Sequence, residues 1–243
     1  MKRYDDRTYG DRIAEVYDDF YAEFDEHAID LLEELAAGGR VLELGIGTGR
    51  VALPLVDRGL DVVGIDASPA MIEKLRAKPG GDEIRVVEAS FAEIPIDGRF
   101  DLVFVAFNTF FALLTQEAQV GCFRSVAAHL SDEGSFLIEA FVPDLARFED
   151  GQAVRLTELT DDSVRIHAAA VDVVNQRISS QHVLISQQGP RLYPVELRYA
   201  WPSELDLMAD LAGLTLKQRW GSWRKDAFTK ESRKHVSVYG RPG

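Results

Sequence analysis

"VLELGIGTGRVALPLVDRGLDVVGID", residues 41–66, places a glycine-rich turn after one short apolar run and ends on an aspartate after another. Short apolar runs bounded by glycine are typical of buried strands, and the residues between them show the spacing of an amphipathic helix. The segment therefore predicts a strand, a helix and a second strand. Strands joined through a helix lie parallel in one sheet, so this stretch decides the fold class.

The same alternation continues on both sides of a more polar segment. Seven strands are predicted, at residues 40–45, 61–66, 84–89, 100–107, 134–141, 214–220 and 235–240. Helices are predicted at 49–59, 68–78, 115–130 and 202–213. Residues 152–201 contain shorter strand-like runs joined by tight turns, which favours an antiparallel meander. The pattern indicates an α/β fold with a seven-stranded, mostly parallel sheet, helices on both faces and an inserted antiparallel β-meander.

The residues before the first strand carry apolar side chains at helical spacing. The first stripe, which predicts one amphipathic helix, consists of Ile13, Val16, Tyr17, Phe20, Tyr21 and Phe24. A second stripe begins at Ala28 and ends at the glycines after residue 37. We therefore expect three parts: an N-terminal helical segment (1–39), a core formed by 40–150 and 202–243, and an inserted sheet (151–201).

Charge and composition exclude several classes of function. The chain has 27 Lys and Arg against 40 Asp and Glu, a net charge of −13, which disfavours a nucleic-acid substrate. No apolar run is long enough to span a bilayer, and the charged N-terminus does not resemble a secretory signal. The single cysteine, Cys122, fits a reducing compartment, so we expect a cytoplasmic protein without a membrane partner. The acidic residues and histidines of the chain do not show the spacing of metal ligands, so no metal is predicted.

The glycine-rich turn is a ligand site of a particular kind. Its glycines at 45, 47 and 49 follow G-x-G-x-G, and Arg50 stands where a dinucleotide-binding fingerprint needs a further glycine. The Gly-Lys-Ser/Thr of a phosphate-binding loop is absent. Glu43 would repel a pyrophosphate, whereas Asp66 can accept hydrogen bonds from two ribose hydroxyls. These residues favour a cationic nucleoside without phosphate.

On this run the chain resembles the class I S-adenosylmethionine-dependent methyltransferases, and "IRVVEASFAEIP", "FDLVFVAFNTFFAL" and "LSDEGSFLIEAF" extend the resemblance over residues 40–141. The resemblance implies a Rossmann-like sheet, S-adenosylmethionine as methyl donor and S-adenosylhomocysteine as product. It assigns the donor site to Tyr17, Glu43, Gly45, Ile46, Gly47, Gly49, Asp66, Ala67, Met71, Ser90, Phe91 and Phe107. The family often has aspartate where this chain has Ser90, so the charged contact to the adenine amino group is replaced here.

A closer resemblance concerns the acceptor. "VYDDFY" and the meander are similar to bacterial small-molecule N-methyltransferases, including those that methylate amino sugars. The resemblance implies a small-molecule acceptor, an inserted sheet that shapes its cavity, and a possible homodimer through that sheet. The candidates for contact with the reacting groups are Asn108, which follows a strand end, and Tyr17 and Tyr21 on the N-terminal helix.

Other functions remain open from the sequence. An amine needs little help once it is bound without its proton, whereas an alcohol or phenol needs a base, and no residue announces itself as that base. Methylation of a hydroxyl or carboxylate oxygen is therefore the first alternative. A non-catalytic relative that only binds the donor or its product is the second.

Overall fold

The computed structural model describes residues 4–21 and 25–243. Its helices are α1 (Thr8–Ile13), α2 (Tyr17–Phe20), α3 (His27–Ala36), α4 (Ala52–Asp57), α5 (Pro69–Arg76), α6 (Gln116–His129) and α7 (Pro202–Leu211). The first five strands are β1 (Val41–Leu44), β2 (Val62–Asp66), β3 (Arg85–Glu88), β4 (Phe100–Val105) and β5 (Leu130–Phe141). The other strands are β6 (Gln152–Leu159), β7 (Ser163–Asp172), β8 (Arg177–Ser186), β9 (Gly189–Arg198), β10 (Thr215–Trp220) and β11 (Lys234–Gly240).

The central sheet confirms the predicted fold class. Its seven strands run in the order β10-β11-β5-β4-β1-β2-β3. The neighbouring pairs β3–β2, β2–β1, β1–β4 and β4–β5 are parallel. In contrast, β11 runs antiparallel to both β5 and β10. Because β1 lies between β2 and β4, the carboxyl ends of these three strands meet at one edge, where α/β sheets bind ligands.

The polar segment forms a second sheet, as predicted. Strands β6 to β9 pair antiparallel in chain order. One face of this sheet packs on the main core through Ala169 and Ile178, and Tyr193 packs against the N-terminal helices. The inserted sheet therefore lies beside the carboxyl edge of the central sheet and contacts both the core and the N-terminal helices.

Apolar layers cover both faces of the central sheet. One layer joins β4 and β5 to α6 and α7, and the other joins β1 and β2 to α3 and α4. Cys122 on α6 is fully buried in the first layer, and burial raises the pKa of its thiol. In the described part of the chain, no helix is long and apolar enough to cross a membrane.

Two sequence expectations are corrected. The single helix predicted across residues 13–21 is wrong, because a turn at residues 14–16 separates α1 from α2. Each short helix is fixed by a different tertiary contact: Asp11 accepts from the Ser68 hydroxyl, and Asp18 accepts from Thr48. Phe24, the last member of the predicted stripe, lies outside the described residues. The strand predicted at 134–141 begins earlier, at Leu130, with a register shift opposite β4.

Candidate active site

The glycine-rich turn after β1 exposes bare backbone at the carboxyl edge of the sheet. Gly45, Gly47 and Gly49 have φ angles of 76°, 56° and 76°, a region that favours glycine. A Cβ on Gly45 would lie 2.5 Å from the Thr109 methyl group. A Cβ on Gly49 would overlap Leu75, so this third glycine serves the packing of the turn on α5. The turn can therefore keep its shape only with glycines at these positions.

Asp66, the last residue of β2, holds the turn from the neighbouring strand. Its Oδ2 accepts a hydrogen bond from the Gly47 N–H at 2.8 Å, and its Oδ1 accepts from the Ser68 N–H at 2.8 Å. Burial raises the pKa of this carboxyl. Each carboxylate oxygen can accept a second hydrogen bond, so Asp66 can still bind two vicinal hydroxyls of a ligand that lies on the turn.

Glu43 on β1 is a buried carboxylate with an unfilled hydrogen-bonding site. Its side chain is 5% exposed, and its Oε2 has no hydrogen-bond partner among the residues that the structure describes. Burial and the neighbouring charge of Asp66 raise the pKa of Glu43 well above its usual range, against the opposing charge of Arg50. Two buried acidic groups beside bare backbone fit a cationic ligand and disfavour an anionic one. The residues present therefore fit the predicted sulfonium donor.

A cavity lies over the turn, and eight residues of the predicted donor site line it. These are Tyr17, Gly45, Gly47, Asp66, Ala67, Met71, Ser90 and Phe91. Further lining residues were not predicted, and they are Tyr4, Asp5, Asp6, Tyr9, Gly10, Ser68, Thr109, Ala112 and Leu113. Tyr9 and Gly10 belong to α1, which reaches the cavity by packing on α5 and β9. No local pattern in the sequence signals that contact, because it joins segments far apart in the chain.

Four predicted donor-site residues and two predicted contact residues lie outside that lining: Glu43, Ile46, Gly49, Phe107, Asn108 and Tyr21. The structure does not bring the Ile46 side chain to the cavity, because it is 3% exposed and packs under the sheet. Its side chain fills the space that a Cβ on Gly64 would need. The Ile46 N–H is also occupied, since it donates to the Ile65 carbonyl at 3.0 Å. Ile46 therefore serves the core under the turn.

The turn after β4 is held by β5. Phe107 and Asn108 have φ angles of 54° and 66°, which are uncommon for residues other than glycine. The Phe107 N–H donates to Glu139 Oε2 at 2.6 Å, and the Asn108 N–H donates to the Glu139 carbonyl at 3.1 Å. The Asn108 Oδ1 accepts from the Phe141 N–H at 2.7 Å. Asn108 thus joins β4 to β5, a structural role beside any contact with the reacting groups.

Glu139 was missed from the sequence. Its side chain is 7% exposed, and Lys234 Nζ lies 3.7 Å from its Oε1. Burial raises the pKa of Glu139. A glutamate inside the apolar run "FLIEAF" could have signalled it, because a charged side chain is rarely placed in a buried strand without a specific partner.

Aromatic rings of α1 and α2 cover the site, and one arginine fixes them. The Tyr17 and Tyr21 ring centroids are 4.9 Å apart, and the Tyr21 hydroxyl lies 3.2 Å from that of Tyr9. The Arg50 guanidinium lies 3.9 Å from the Phe107 ring centroid, and its Nη1 donates to the Tyr21 carbonyl at 2.8 Å. Burial raises the pKa of Tyr17 to about 12, so its hydroxyl stays protonated near neutral pH.

Comparisons with known proteins agree with this geometry. A family model described as a methyltransferase domain matches residues 41–134, which include the glycine-rich turn and Asp66. The chain is 29% identical over 205 residues to the cypemycin N-terminal methyltransferase of a Streptomyces species, and the match covers 84% of each protein.

Solved structures are similar over the whole chain. The CcbJ methyltransferase from Streptomyces caelestis is 40% identical, with a TM-score of 0.91, and the match covers 99% of this chain and 100% of that one. CalS10 from Micromonospora echinaspora, an amino pentose methyltransferase solved with S-adenosylmethionine bound, has a TM-score of 0.71 at 21% identity. That match covers 93% of this chain and 97% of CalS10, and at this identity it supports the fold alone.

Proposed function

The chain belongs to the class I S-adenosylmethionine-dependent methyltransferases, and from this premise we propose that it methylates an amine of a small molecule. The observation that carries the proposal is the charge of the cavity. Its described lining includes Asp5, Asp6 and Asp66 and contains no lysine, arginine or histidine. An acidic cavity attracts an amine that arrives as a cation, and it disfavours a carboxylate or phosphate at the reacting position.

The cavity lining suggests which residues would hold the donor. Bare backbone at Gly45 and Gly47 would take its methionine part, and Asp66 would accept from its ribose hydroxyls. Ala67, Met71, Ser90 and Phe91, which line the same cavity, would hold the adenine. When bound, the donor supplies a methyl group activated by a positively charged sulfur. Glu43 is the nearby buried carboxylate that can balance positive charge in the donor.

The acceptor needs alignment more than acid–base help. Fixing two reactants in line can contribute about 7–11 kcal/mol toward the barrier. We assign the left-handed turn at Phe107 and Asn108 to positioning the amine, together with Tyr17, which lines the cavity, and Tyr21, which packs on Tyr17. An amine can lose its proton to a carboxylate or to water before it attacks. Its lone pair would then form the bond to the methyl carbon as the carbon–sulfur bond of the donor breaks, with S-adenosylhomocysteine as the leaving group.

The names of two similar proteins also favour an amine acceptor. The cypemycin enzyme is named for methylation at an N-terminus, and CalS10 is described as an amino pentose methyltransferase. Methylation of a hydroxyl or carboxylate oxygen is the competing function. A hydroxyl acceptor would need a base, for which the described lining offers carboxylates and tyrosine hydroxyls.

Acceptor profiling tests the proposal. Purified protein is incubated with S-adenosylmethionine and a matched set of amine, phenol, alcohol and carboxylate acceptors, and methylated product and S-adenosylhomocysteine are measured. We expect product from amines only, at a rate that rises with pH as the amine loses its proton. The Asp66→Ala variant is the control and should form no product. Turnover of a phenol or carboxylate without turnover of any amine would replace the proposal with O-methylation.

We further propose that residues 1–39 act as a helical cover, that 40–150 and 202–243 form the donor-binding domain, that the inserted sheet (151–201) shapes the acceptor cavity, and that two copies associate through this sheet. On the outer face of that sheet, Leu156, Ile166, Val183 and Leu192 stand directly opposite one another across the four strands. Leu156 is 55% exposed and Leu192 is 54% exposed. An apolar row of this kind is typical of an interface. Light scattering should give twice the mass of one chain, and the Leu156→Glu variant should give the mass of one.

A further inference from the structure

A second cleft opens between the end of β5 and the inserted sheet, apart from the donor cavity. It has a volume of about 610 Å³. Arg147, Arg155 and Arg233 stand at its walls, and His167 and His182 contribute their rings. Asp144 is the one acidic residue in its described lining, and it already accepts a hydrogen bond from Arg233 at 3.0 Å. The cleft is therefore basic on a chain whose net charge is −13.

The strand register places this basic group on the inner face of the inserted sheet. Arg155, His167, His182 and Tyr193 lie directly opposite one another on β6, β7, β8 and β9. Residues that face each other across strands point to the same side, so these four side chains form one row. Tyr193, at one end, packs against Phe20 of α2 with ring centroids 5.5 Å apart. The row therefore runs from the aromatic rings over the donor site to the arginines of the cleft.

Two arginines of the cleft, Arg147 and Arg155, form no ion pair within the described chain, although the charge of Asp144 acts on Arg147. No carboxylate of residues 4–21 and 25–243 lies within 4.0 Å of the side-chain nitrogens of Arg147 or Arg155. Burial, helped by His182 and both arginines, lowers the pKa of His167 to about 4. Two neutral imidazoles and two exposed guanidiniums without an ion pair offer hydrogen-bond donors on one side of the cleft, an arrangement that suits an oxyanion.

The cleft also adjoins the acceptor side of the donor site. Phe141 lines it, and the Phe141 N–H is the group that donates to Asn108. The Phe141 ring also packs on Phe111 with centroids 5.0 Å apart. An acceptor bound at both places would run from the turn at Asn108 along the inner face of the inserted sheet, past His182 and His167, to the arginines. The two ends of such a molecule would meet environments of opposite charge.

We propose that the second cleft binds an anionic group of the acceptor, a carboxylate or a phosphate, while the amine of the same molecule faces the donor. This inference rests on the proposed function and names its substrate class: an amine that carries a negative charge at its far end. Arg147 and Arg155 bind the oxyanion through charge-assisted hydrogen bonds, and His167 and His182 donate to it from the floor. The acidic donor cavity repels that end, so the charges fix the direction in which the acceptor lies.

Anion titration tests the inference without knowledge of the acceptor. Pyrophosphate and citrate are titrated separately into the protein, with calorimetry for affinity and the C2 proton resonances of the histidines for location. Binding should raise the pKa of His167 and His182, because an anion stabilises the charged imidazoles. The double variant Arg147→Gln with Arg155→Gln should weaken binding about tenfold or more. Binding of pyrophosphate alone would name a phosphate end, and binding of citrate alone would name a carboxylate end.

A control separates this inference from the function on which it rests. Arg191→Gln removes an exposed arginine from the same sheet, outside the cleft, and should leave anion binding unchanged. S-adenosylmethionine should bind wild type and all variants equally. If neither anion binds, or if the double variant binds as well as wild type, the inference is wrong even when simple amines are methylated. If anions bind but no amine is methylated, the proposed function is wrong, whereas the second cleft is still an anion-binding site.

Discussion

Glu139 accepts a hydrogen bond from the Phe107 N–H at 2.6 Å, and this contact joins a buried carboxylate on β5 to the left-handed turn after β4. The turn carries Asn108, whose Oδ1 returns to β5 by accepting from Phe141. These contacts hold β4 and β5 together at the edge where we place the donor and acceptor sites. The geometry of the reacting groups therefore depends on a residue that does not line the donor cavity.

Removing the Glu139 carboxyl should loosen this turn. Glu139→Leu takes away the acceptor for the Phe107 N–H, and a buried donor without its acceptor costs roughly 1–3 kcal/mol. We expect the free energy of unfolding, measured with denaturant, to fall by that amount and kcat to fall more than KM rises. Glu139→Gln retains an acceptor oxygen and should restore most of both. Equal loss in the two variants would show that the negative charge itself is required.

Binding of the donor should release a proton from Glu43. Burial and Asp66 raise the pKa of Glu43, so the free protein holds this proton to higher pH than the unfolded chain does. That proton stabilises the fold at low pH, and the stabilisation is lost as pH rises through the folded-state pKa. A cationic donor favours the carboxylate and lowers its pKa.

Calorimetry in buffers with different heats of ionisation measures this proton. At pH values between the pKa of Glu43 in the donor-bound protein and its higher pKa in the free folded protein, wild type should release protons on binding S-adenosylmethionine. In this range the affinity should rise with pH. Glu43→Gln should abolish the proton release, weaken binding about tenfold and raise stability at neutral pH. An unchanged proton count in Glu43→Gln would assign the release to another group.

Asp66 should matter for the donor far more than Asp61, the acidic residue just before β2. Asp66→Ala removes the acceptor for Gly47 and Ser68 as well as for the ribose, and each hydrogen bond to a charged group contributes about 1.5–3 kcal/mol. We expect calorimetry to show a loss of affinity of at least about a hundredfold. Asp61→Ala, just before the start of the same strand, removes an ion pair with Arg40 and should leave the affinity unchanged. Retained donor affinity in Asp66→Ala would refute the ribose assignment.

Arg50 should fix α1 and α2 over the site. Its guanidinium lies over Phe107 and donates to the Tyr21 carbonyl, and a desolvated cation–π contact contributes about 2 kcal/mol. Arg50→Met keeps the length but loses both contacts. Amide hydrogen exchange in residues 8–21 should become faster, and KM for S-adenosylmethionine should rise. Arg58→Met, which removes an exposed ion pair with Glu33 at the end of α4, is the control and should change neither quantity.

Tyr17 should position the acceptor and not act as its base. Because burial raises the pKa of Tyr17 to about 12, the phenolate is scarce near neutral pH. Tyr17→Phe should therefore lower kcat by less than about tenfold and leave the pH–rate profile in place. A profile that loses its dependence on the deprotonated form in Tyr17→Phe would instead identify this hydroxyl as the base.

The sequence by itself determined the features that local chemistry controls. Apolar runs and helical spacing predicted the seven-stranded sheet and the inserted meander, because side-chain periodicity follows backbone geometry directly. The helix predicted from residue 68 begins there, and the Ser68 side chain caps α5 by accepting from the Met71 N–H, a contact completed within one turn. The glycines at 45 and 47 and the aspartate at 66 marked the ligand edge for the same reason. They fix backbone angles and hydrogen bonds close to their own strands.

Only the tertiary structure decided the rest. The stripe from Ile13 to Tyr21 predicted one helix, but contacts to Ser68 and Thr48 divide it, because short helices gain most of their stability from packing. Tyr9 reaches the donor cavity, Glu139 reaches Phe107, and Arg155 joins His167 and His182 only when distant segments fold together. Periodicity reports what a residue's neighbours in the chain require. It carries no record of which buried partner, tens of residues away, completes a site.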